Sequence, residues 1–293
     1  MKEKILFDTD IGGDIDDALA LAYLLCEPRC DLLGVTTVTG EPHLRAEMVS
    51  AVCRNVGRDD VPIHVGCPLP MMIAQRQVEA HQAAKLGDWP RKKFTTDNTA
   101  IAFLRDTIRA NPGEVTLLGV GPLTNIALLF TLDPELPALL KRLVLMCGLF
   151  YNSMGGEWNA ILDPHATGIV YGHSTHTRPP QHVSYGIDVT MQVKIHRDDA
   201  PARFAGKKVL EPVRDFAEVW FSRCEHAIFH DPLAAVGIFH PDVCTYEKAN
   251  VQVPLDGSTA GWTVPAPHAQ GAHSIARTVD AQKFFDIYFE TVK

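Results

Sequence analysis

Short apolar runs alternate with longer runs of helical periodicity over the first two thirds of the chain. The strand candidates are residues 4–8, 31–37, 115–119, 142–146 and 182–187. The helix candidates are residues 16–26, 44–56, 98–110, 123–130 and 279–290, the last of which is amphipathic and begins near Asp280. Continuous apolar strands separated by helices are typical of a parallel sheet that is covered on both faces. The pattern predicts an α/β fold with a mostly parallel central sheet flanked by helices.

The chain shows no internal repeat, no low-complexity tract and no long linker, so residues 1–293 are predicted to form a single domain. Two stretches, residues 67–96 and 254–271, lack regular periodicity and exceed the usual connection of about 4–6 residues. We interpret both as candidate lids or binding loops. Ligands of open α/β sheets bind where the strands end, so the chemistry is expected in the loops that follow the strands.

Charge and cysteine content narrow the classes of partner. The chain has 27 Lys and Arg residues against 35 Asp and Glu residues, a net charge of −8, which provides no basic surface for a phosphate backbone. Nucleic acid is therefore not expected as a main partner, and no apolar run reaches the ~18 residues needed to span a bilayer. The seven cysteines include no C-x-x-C pair and favour free thiols in a reducing compartment. We predict a soluble, cytoplasmic protein whose partner is a small molecule or a metal.

The strongest chemical signal is an aspartate-rich loop at the end of the first strand, FDTDIGGDIDDALAL at residues 7–21. Its acidic residues are Asp8, Asp10, Asp14, Asp16 and Asp17. Carboxylates this close together repel one another unless a cation neutralises them, and oxygen ligands of this kind suit calcium or magnesium. Zinc is not expected, because no histidine or cysteine joins the cluster. The alternative is that one aspartate caps the following helix and the others are solvated.

This loop resembles the signature of the inosine–uridine-preferring nucleoside hydrolases, whose usual form is D-T-D-P-G-x-D-D. Ile11 stands at the proline position, and two extra residues precede the final acidic pair, which we match to Asp16 and Asp17. Asp14 is then an insertion without an assigned role. The resemblance implies a nucleoside hydrolase-like fold for the whole chain.

Further matches extend the resemblance from residue 4 to about residue 240. The second strand ends in TTVTG at residues 36–40, as in the family, but Glu41 replaces the asparagine that commonly follows. The three remaining motifs are GPLTNIA at residues 121–127, GEWN at 156–159 followed by Asp163 and Pro164, and HDPLA at 230–234. Their order along the chain is that of the family.

The resemblance assigns roles to individual residues. It implies a calcium ion (Ca²⁺) held by Asp10, Asp17, the backbone carbonyl of Thr124, and Asp231. It implies ribose contacts from Asp16, Asn152, Glu157 and Asn159. Asp10 would also take a proton from the attacking water, and His230 would protonate the departing base.

Candidates for the base pocket are less well defined. They are His81, in the irregular segment 67–96, Trp220 and His226, upstream of the H-D motif, and His268 and His273, near the glycine-rich C-terminal segment. Each has an ordinary structural alternative, since a buried tryptophan or a satisfied histidine is common in a core.

The expected function is calcium-dependent hydrolysis of the N-glycosidic bond of purine or pyrimidine ribonucleosides, which gives ribose and the free base. By the same resemblance we expect a homodimer or homotetramer. Three alternatives stay open: hydrolysis of a modified nucleoside or another N-riboside, a catalytically degenerate nucleoside-binding protein, and a D-x-D magnesium phosphatase of the haloacid dehalogenase type. The motif of the last family is D-x-D-x-[TV], and this chain departs from it because Gly12 occupies the fifth position.

Overall fold

A nine-stranded sheet forms the centre of the computed structural model, which describes residues 2–151, 155–176 and 181–293. Its strands, in spatial order, are β10, β9, β11, β6, β5, β4, β1, β2 and β3, and β7 and β8 form a separate antiparallel pair. The strand bounds are β1 Glu3–Thr9, β2 Cys30–Thr37, β3 Ile63–Val65, β4 Val115–Gly119, β5 Arg142–Met146, β6 His182–Tyr185, β7 Lys194–His196, β8 His226–Ile228, β9 Cys244–Gln252, β10 Val264–Pro267 and β11 His273–Val279. The ladder is parallel from β3 to β11 and antiparallel where β9 pairs with β11 and β10.

Helices cover both faces of this sheet. Their bounds are α1 Asp16–Cys26, α2 Pro42–Asn55, α3 Ala100–Ala110, α4 Thr124–Leu132, α5 Leu136–Leu139, α6 Trp158–Leu162, α7 Pro164–His176, α8 Ile187–Thr190, α9 Ala200–Phe204, α10 Glu211–Phe221, α11 His230–Phe239 and α12 Ala281–Thr291. A short 3-10 turn at His81–Lys85 interrupts the long connection between β3 and α3. None of the helices in the described ranges is both long and apolar enough to cross a bilayer.

Alternate residues of the central strands feed two separate cores. Ile5 and Phe7 of β1 pack into the cluster formed with α1, α2 and α11, whereas Leu6 packs on the other face with α3, α4 and α7. All three side chains are fully buried. Each contributes about 1.5–3 kcal/mol of transfer free energy, which explains why these strands are apolar on both faces.

The predicted fold class is confirmed. The bounds of α1, β4 and β5 agree with the prediction, and the other predicted elements differ by a few residues at their ends. The irregular segment 67–96 contains only the short turn near His81 among its helices and strands. The second segment, 254–271, includes the edge strand β10, so it is partly regular structure.

Candidate active site

A cavity of about 720 Å³ opens at the carboxyl edge of the parallel strands. This volume lies within the usual range for small-molecule sites, about 300–1,000 Å³. Five aspartates line it, and we call four of them the acidic floor: Asp10, Asp16, Asp17 and Asp231. All four are at most 6% exposed.

The acidic floor is assembled from the ends of β1, α1 and α11. Asp10 follows β1, Asp16 and Asp17 open α1, and Asp231 lies in the first turn of α11. Oxygen atoms of the last three carboxylates lie within 4.8 Å of one another. The backbone N–H of Asp231 donates to Asp16 Oδ2 over 3.2 Å, so the two helix starts are tied together at the place where their dipoles favour negative charge.

The position of Asp10 depends on its neighbours. Its N–H and the Thr9 hydroxyl both donate to Asp17 Oδ1. A β-carbon on Gly121 would lie 2.8 Å from Asp10 Oδ1, which explains the glycine at the start of the GPLT motif. Asp10 Oδ2 accepts a hydrogen bond from Gln77 Nε2 at 2.6 Å.

Burial raises the pKa of all four floor carboxyls, and mutual repulsion raises the pKa of Asp16, Asp17 and Asp231 further. Arg45 is fully buried beneath the floor and attracts Asp10 and Asp17, but its guanidinium donates to backbone carbonyls, including Gly40 O at 2.8 Å. One guanidinium does not balance four carboxylates. A hard divalent cation with oxygen ligands fits this donor set.

The predicted carbonyl ligand, Thr124, begins α4, and its hydroxyl donates to Asp163 Oδ2 at 2.7 Å. This bond ties the GPLT motif to the aspartate that follows the GEWN motif. Asp8, in the first loop, also has structural partners, since it accepts hydrogen bonds from Thr36 and Asn125.

Asp14, the inserted aspartate, lines the cavity beside the acidic floor. Its Oδ1 accepts a hydrogen bond from the Ile15 N–H at 2.5 Å, and burial raises its pKa to about 8. Glu41 has a left-handed backbone with φ of 54°, and its carboxylate accepts from the Ala80 N–H at 2.9 Å. Its carboxylate therefore anchors segment 67–96.

Glu157 and Asn159, the predicted sugar contacts, both line the cavity and also hold its wall together. The Glu157 carboxylate caps α6 and accepts from the N–H groups of Asn159, Ala160 and Gly148. Burial raises its pKa to about 7. The Asn159 amide nitrogen donates to the Val120 carbonyl at 2.6 Å, which leaves its oxygen as the group for a ligand. Asn152 lies outside the described residues.

His230 opens α11 and lines the cavity. Its Nδ1 is 2.6 Å from the Thr190 hydroxyl, so Nε2 is the remaining nitrogen. Burial lowers its pKa to about 4. The imidazole is therefore neutral at pH 7, in contrast to the ordinary pKa near 6.5 expected from sequence.

Of the five base-pocket candidates, His81 and Trp220 line the cavity. His226 lies on β8 against His196, with ring centroids 5.2 Å apart. His268 is exposed and accepts from the Gln270 N–H. His273 is fully buried on β11, where its ring nitrogens contact backbone groups of Val251 and Tyr171.

His226, His268 and His273 are not among the residues that line this cavity, and each has a structural environment elsewhere. His226 belongs to the two-stranded sheet, His268 to a turn, and His273 to the sheet core.

Two cavity-lining residues that contact each other, Gln77 and Trp158, have no role assigned from the sequence. Trp158, half exposed, donates from Nε1 to Gln77 Oε1 at 2.8 Å. Trp158 lies between Glu157 and Asn159 in the GEWN motif, so its position was a usable signal. Gln77 lies in the irregular segment, where no periodicity marks it.

Comparisons with known proteins agree on one family. The family model described as inosine-uridine preferring nucleoside hydrolase matches residues 5–286. Uridine nucleosidase 1 of Arabidopsis thaliana is 30% identical over 89% of this chain and 81% of its own length. The inosine-uridine preferring nucleoside hydrolase of Crithidia fasciculata is 28% identical over 100% of this chain and 98% of its own.

A solved structure, the purine-preferring ribonucleoside hydrolase from Gardnerella vaginalis, shares the fold. Its TM-score is 0.84 at 22% identity, and the match covers 99% of this chain and 98% of that one.

Proposed function

The chain belongs to the inosine-uridine preferring nucleoside hydrolase family, and on this premise we propose that it hydrolyses ribonucleosides with a calcium ion bound at the acidic floor. As a family member it is an N-glycosyl hydrolase, which replaces the phosphatase interpretation. The observation that carries the calcium proposal is the floor itself, in which buried carboxylates of like charge converge.

Bond cleavage builds positive charge on the ribosyl ring and negative charge on the base, so anionic oxygens are needed around the sugar. When bound, the cation would lower the pKa of a water molecule and supply the charge that the floor lacks. Its ligands would be Asp10, Asp17, the Thr124 carbonyl and Asp231.

The remaining steps use side chains of this chain. Asp10 takes a proton from the attacking water, and Asp16 accepts hydrogen bonds from the ribose hydroxyls. Asn159 contacts the sugar through its amide oxygen, while Glu157 holds the wall on which Asn159 stands. His230, neutral at pH 7, donates a hydrogen bond from Nε2–H to the departing base, while its Nδ1 accepts from the Thr190 hydroxyl.

The substrate proposal draws on the relatives, which are named for uridine, inosine and purine ribonucleosides. We infer activity on at least one common purine or pyrimidine ribonucleoside, in a cytoplasmic homodimer or homotetramer that acts without nucleic acid or membrane. Light scattering during size-exclusion chromatography would measure the assembly.

The direct test is release of reducing sugar from inosine, uridine, cytidine and adenosine, with calcium, with magnesium and after chelation. We expect ribose from at least one of them with calcium, and little after chelation. The 2′-deoxy analogue of the best substrate should react poorly, because Asp16 loses a hydroxyl partner. No ribose from any nucleoside with calcium present would contradict the proposal and favour the binding-protein or modified-substrate alternatives.

A further inference from the structure

Gln77 joins two parts of the cavity that lie on different elements. Its Nε2 donates to Asp10 Oδ2 at 2.6 Å, and its Oε1 accepts from Trp158 Nε1 at 2.8 Å. Asp10 follows β1, and Trp158 begins α6 between the two predicted sugar contacts. The amide of Gln77 therefore connects the proposed general base to the sugar-binding wall.

The orientation of this amide is fixed by chemistry. An indole N–H can only donate, so the carbonyl oxygen of Gln77 faces Trp158 and the NH₂ group faces Asp10. Gly13 leaves the necessary room, because a β-carbon there would lie 3.1 Å from Gln77 Nε2.

The backbone of Gln77 is also held. Its N–H donates to the side-chain oxygen of Gln75 at 2.8 Å, and the Gln75 amide donates in turn to the Thr39 hydroxyl at 2.9 Å and the Pro68 carbonyl at 2.6 Å. These bonds hold the Gln77 backbone within segment 67–96, and this fixes the position from which its side-chain amide reaches Asp10.

We propose that Gln77 is a positioning residue for the hydrolysis, with Trp158 as the group that keeps its amide in the donating orientation. The inference rests on the proposed function of Asp10 as the base. A carboxylate has about four lone-pair sites, so Oδ2 can accept from Gln77 and still receive the proton of a water molecule. A base must lie within hydrogen-bonding reach of the proton that it takes, and a third group commonly orients it.

The test compares Gln77→Ala, Trp158→Phe and the double variant in steady-state kinetics at saturating calcium. Gln77→Ala should lower kcat about 10–100-fold, the usual cost of losing a group that orients a ligand or base, with KM within about twofold of the wild type. Trp158→Phe keeps a ring but removes the N–H, so it should lower kcat by less. The double variant should match Gln77→Ala, because both changes act through one amide.

Gln282→Ala is the matched control. Gln282 makes the same type of bond, from Nε2 to Asp286 Oδ1 at 2.7 Å, on the exposed face of α12. Its kcat should equal that of the wild type. An unchanged kcat in Gln77→Ala, an effect on KM alone, or additive effects in the double variant would overturn the proposal.

A second readout tests the contact without turnover. The fluorescence difference between wild type and Trp158→Phe isolates the emission of Trp158 from that of the other three tryptophans. Gln77→Ala should change this Trp158 emission and make it more sensitive to quenching by acrylamide. An unchanged Trp158 emission would mean that the contact is not made in solution. If the wild type releases no ribose from any nucleoside, the proposed function fails, and the fluorescence still reports on the contact.

Discussion

Two groups of buried polar side chains differ in whether their own hydrogen bonds and charges are balanced. One is the acidic floor. The other, which we call the histidine cluster, lies between α7 and the paired strands β6 and β11, and consists of Tyr171, His182, Ser184 and His273. All members of the histidine cluster are fully buried.

The histidine cluster satisfies its own hydrogen bonds. His273 Nδ1 accepts from the Val251 N–H at 3.1 Å, and its Nε2 lies 3.2 Å from the Tyr171 carbonyl. The Ser184 hydroxyl bonds the Tyr171 hydroxyl at 2.9 Å and His182 Nε2 at 3.1 Å. Every one of these bonds is available to neutral side chains, so the cluster needs no ligand.

The acidic floor differs because its groups carry the same charge and converge on one point. Satisfied buried polar groups are typical of structural roles, whereas groups with strongly perturbed pKa values in a cleft are candidates for function. The comparison teaches that burial alone does not mark a functional histidine. His273, a sequence candidate for the base pocket, is part of the structural cluster.

The largest expected effect is on turnover. Asp10→Asn should lower kcat by about 10²–10⁴-fold, the range for loss of acid–base participation, and Asp231→Asn should also lower kcat, because it removes a proposed calcium ligand. In both variants the cation-free protein should unfold at a higher temperature, because one of four repelling charges is gone. Kinetics and thermal unfolding would measure both. Asp242→Asn, an exposed surface change, serves as control, and full activity of Asp10→Asn would remove that residue from the mechanism.

The histidine cluster should respond in the opposite way. His273→Ala should lower the free energy of unfolding by about 2–4 kcal/mol, because it leaves the Val251 N–H without its acceptor and opens a cavity. The kcat of the folded protein should stay within about twofold. His268→Ala, at an exposed turn, should change neither quantity, and a large loss of kcat in either variant would return that histidine to the active site.

Calcium should raise the free energy of unfolding only by binding at the acidic floor. At 100 times its dissociation constant, it should add about 2.7 kcal/mol to the free energy of unfolding. Denaturant titration with and without calcium should show this gain in the wild type and in His273→Ala, and its loss in Asp231→Asn. An equal gain in all three proteins would place the calcium elsewhere.

The smallest expected effect is on how the free energy of unfolding depends on pH. Burial lowers the pKa of His182 and His273, so their contribution to stability is present above the unfolded pKa of about 6.5 and is lost as pH falls towards the folded value. With saturating calcium, the wild type should lose more stability from pH 7.5 to 5.5 than His273→Ala. Denaturant titrations at the two pH values would measure both losses, and equal losses would assign this slope to other groups.

The acidic floor should change stability with pH in the opposite direction. Its carboxyl pKa values are raised, so without calcium its contribution is present below the unfolded pKa near 4 and is lost as pH rises through the folded values. Stability of the calcium-free protein measured across this range should therefore change less in Asp231→Asn than in the wild type. An equal change in the two proteins would contradict the assignment of this slope to the floor.

The sequence predicts the central strands well for a physical reason. Strands β4 and β5 are buried on both faces, and apart from Thr116 and the first residue, Arg142, their residues are apolar or glycine. The C-terminal strands were not predicted because they lack such a buried apolar run. Strand β9, CTYEKANVQ, is buried at only three positions and carries charged residues, although it pairs with two neighbours.

The acidic floor could be anticipated because each of its members lies in a short motif, at the end of β1 for Asp10 and at the start of a helix for the other three. The contact between Gln77 and Asp10 could not, because the two residues are separated by 67 positions and only the tertiary fold brings them together. The low pKa of His230 was missed for the same reason, since its burial arises from packing around α11 rather than from the H-D motif itself.

Arg45 places a positive charge beneath the acidic floor that does not depend on any dissociable ion, because a guanidinium stays protonated in proteins and here it is held by backbone carbonyls. With its four carboxylates ionised, the acidic floor and Arg45 together carry three negative charges, so a divalent ion leaves one of them unbalanced and a trivalent ion balances all three. Lanthanides, which share calcium's preference for oxygen ligands, should therefore bind more tightly than calcium. The site would then serve as a built-in luminescent probe, with terbium emission excited through the nearby indole of Trp158.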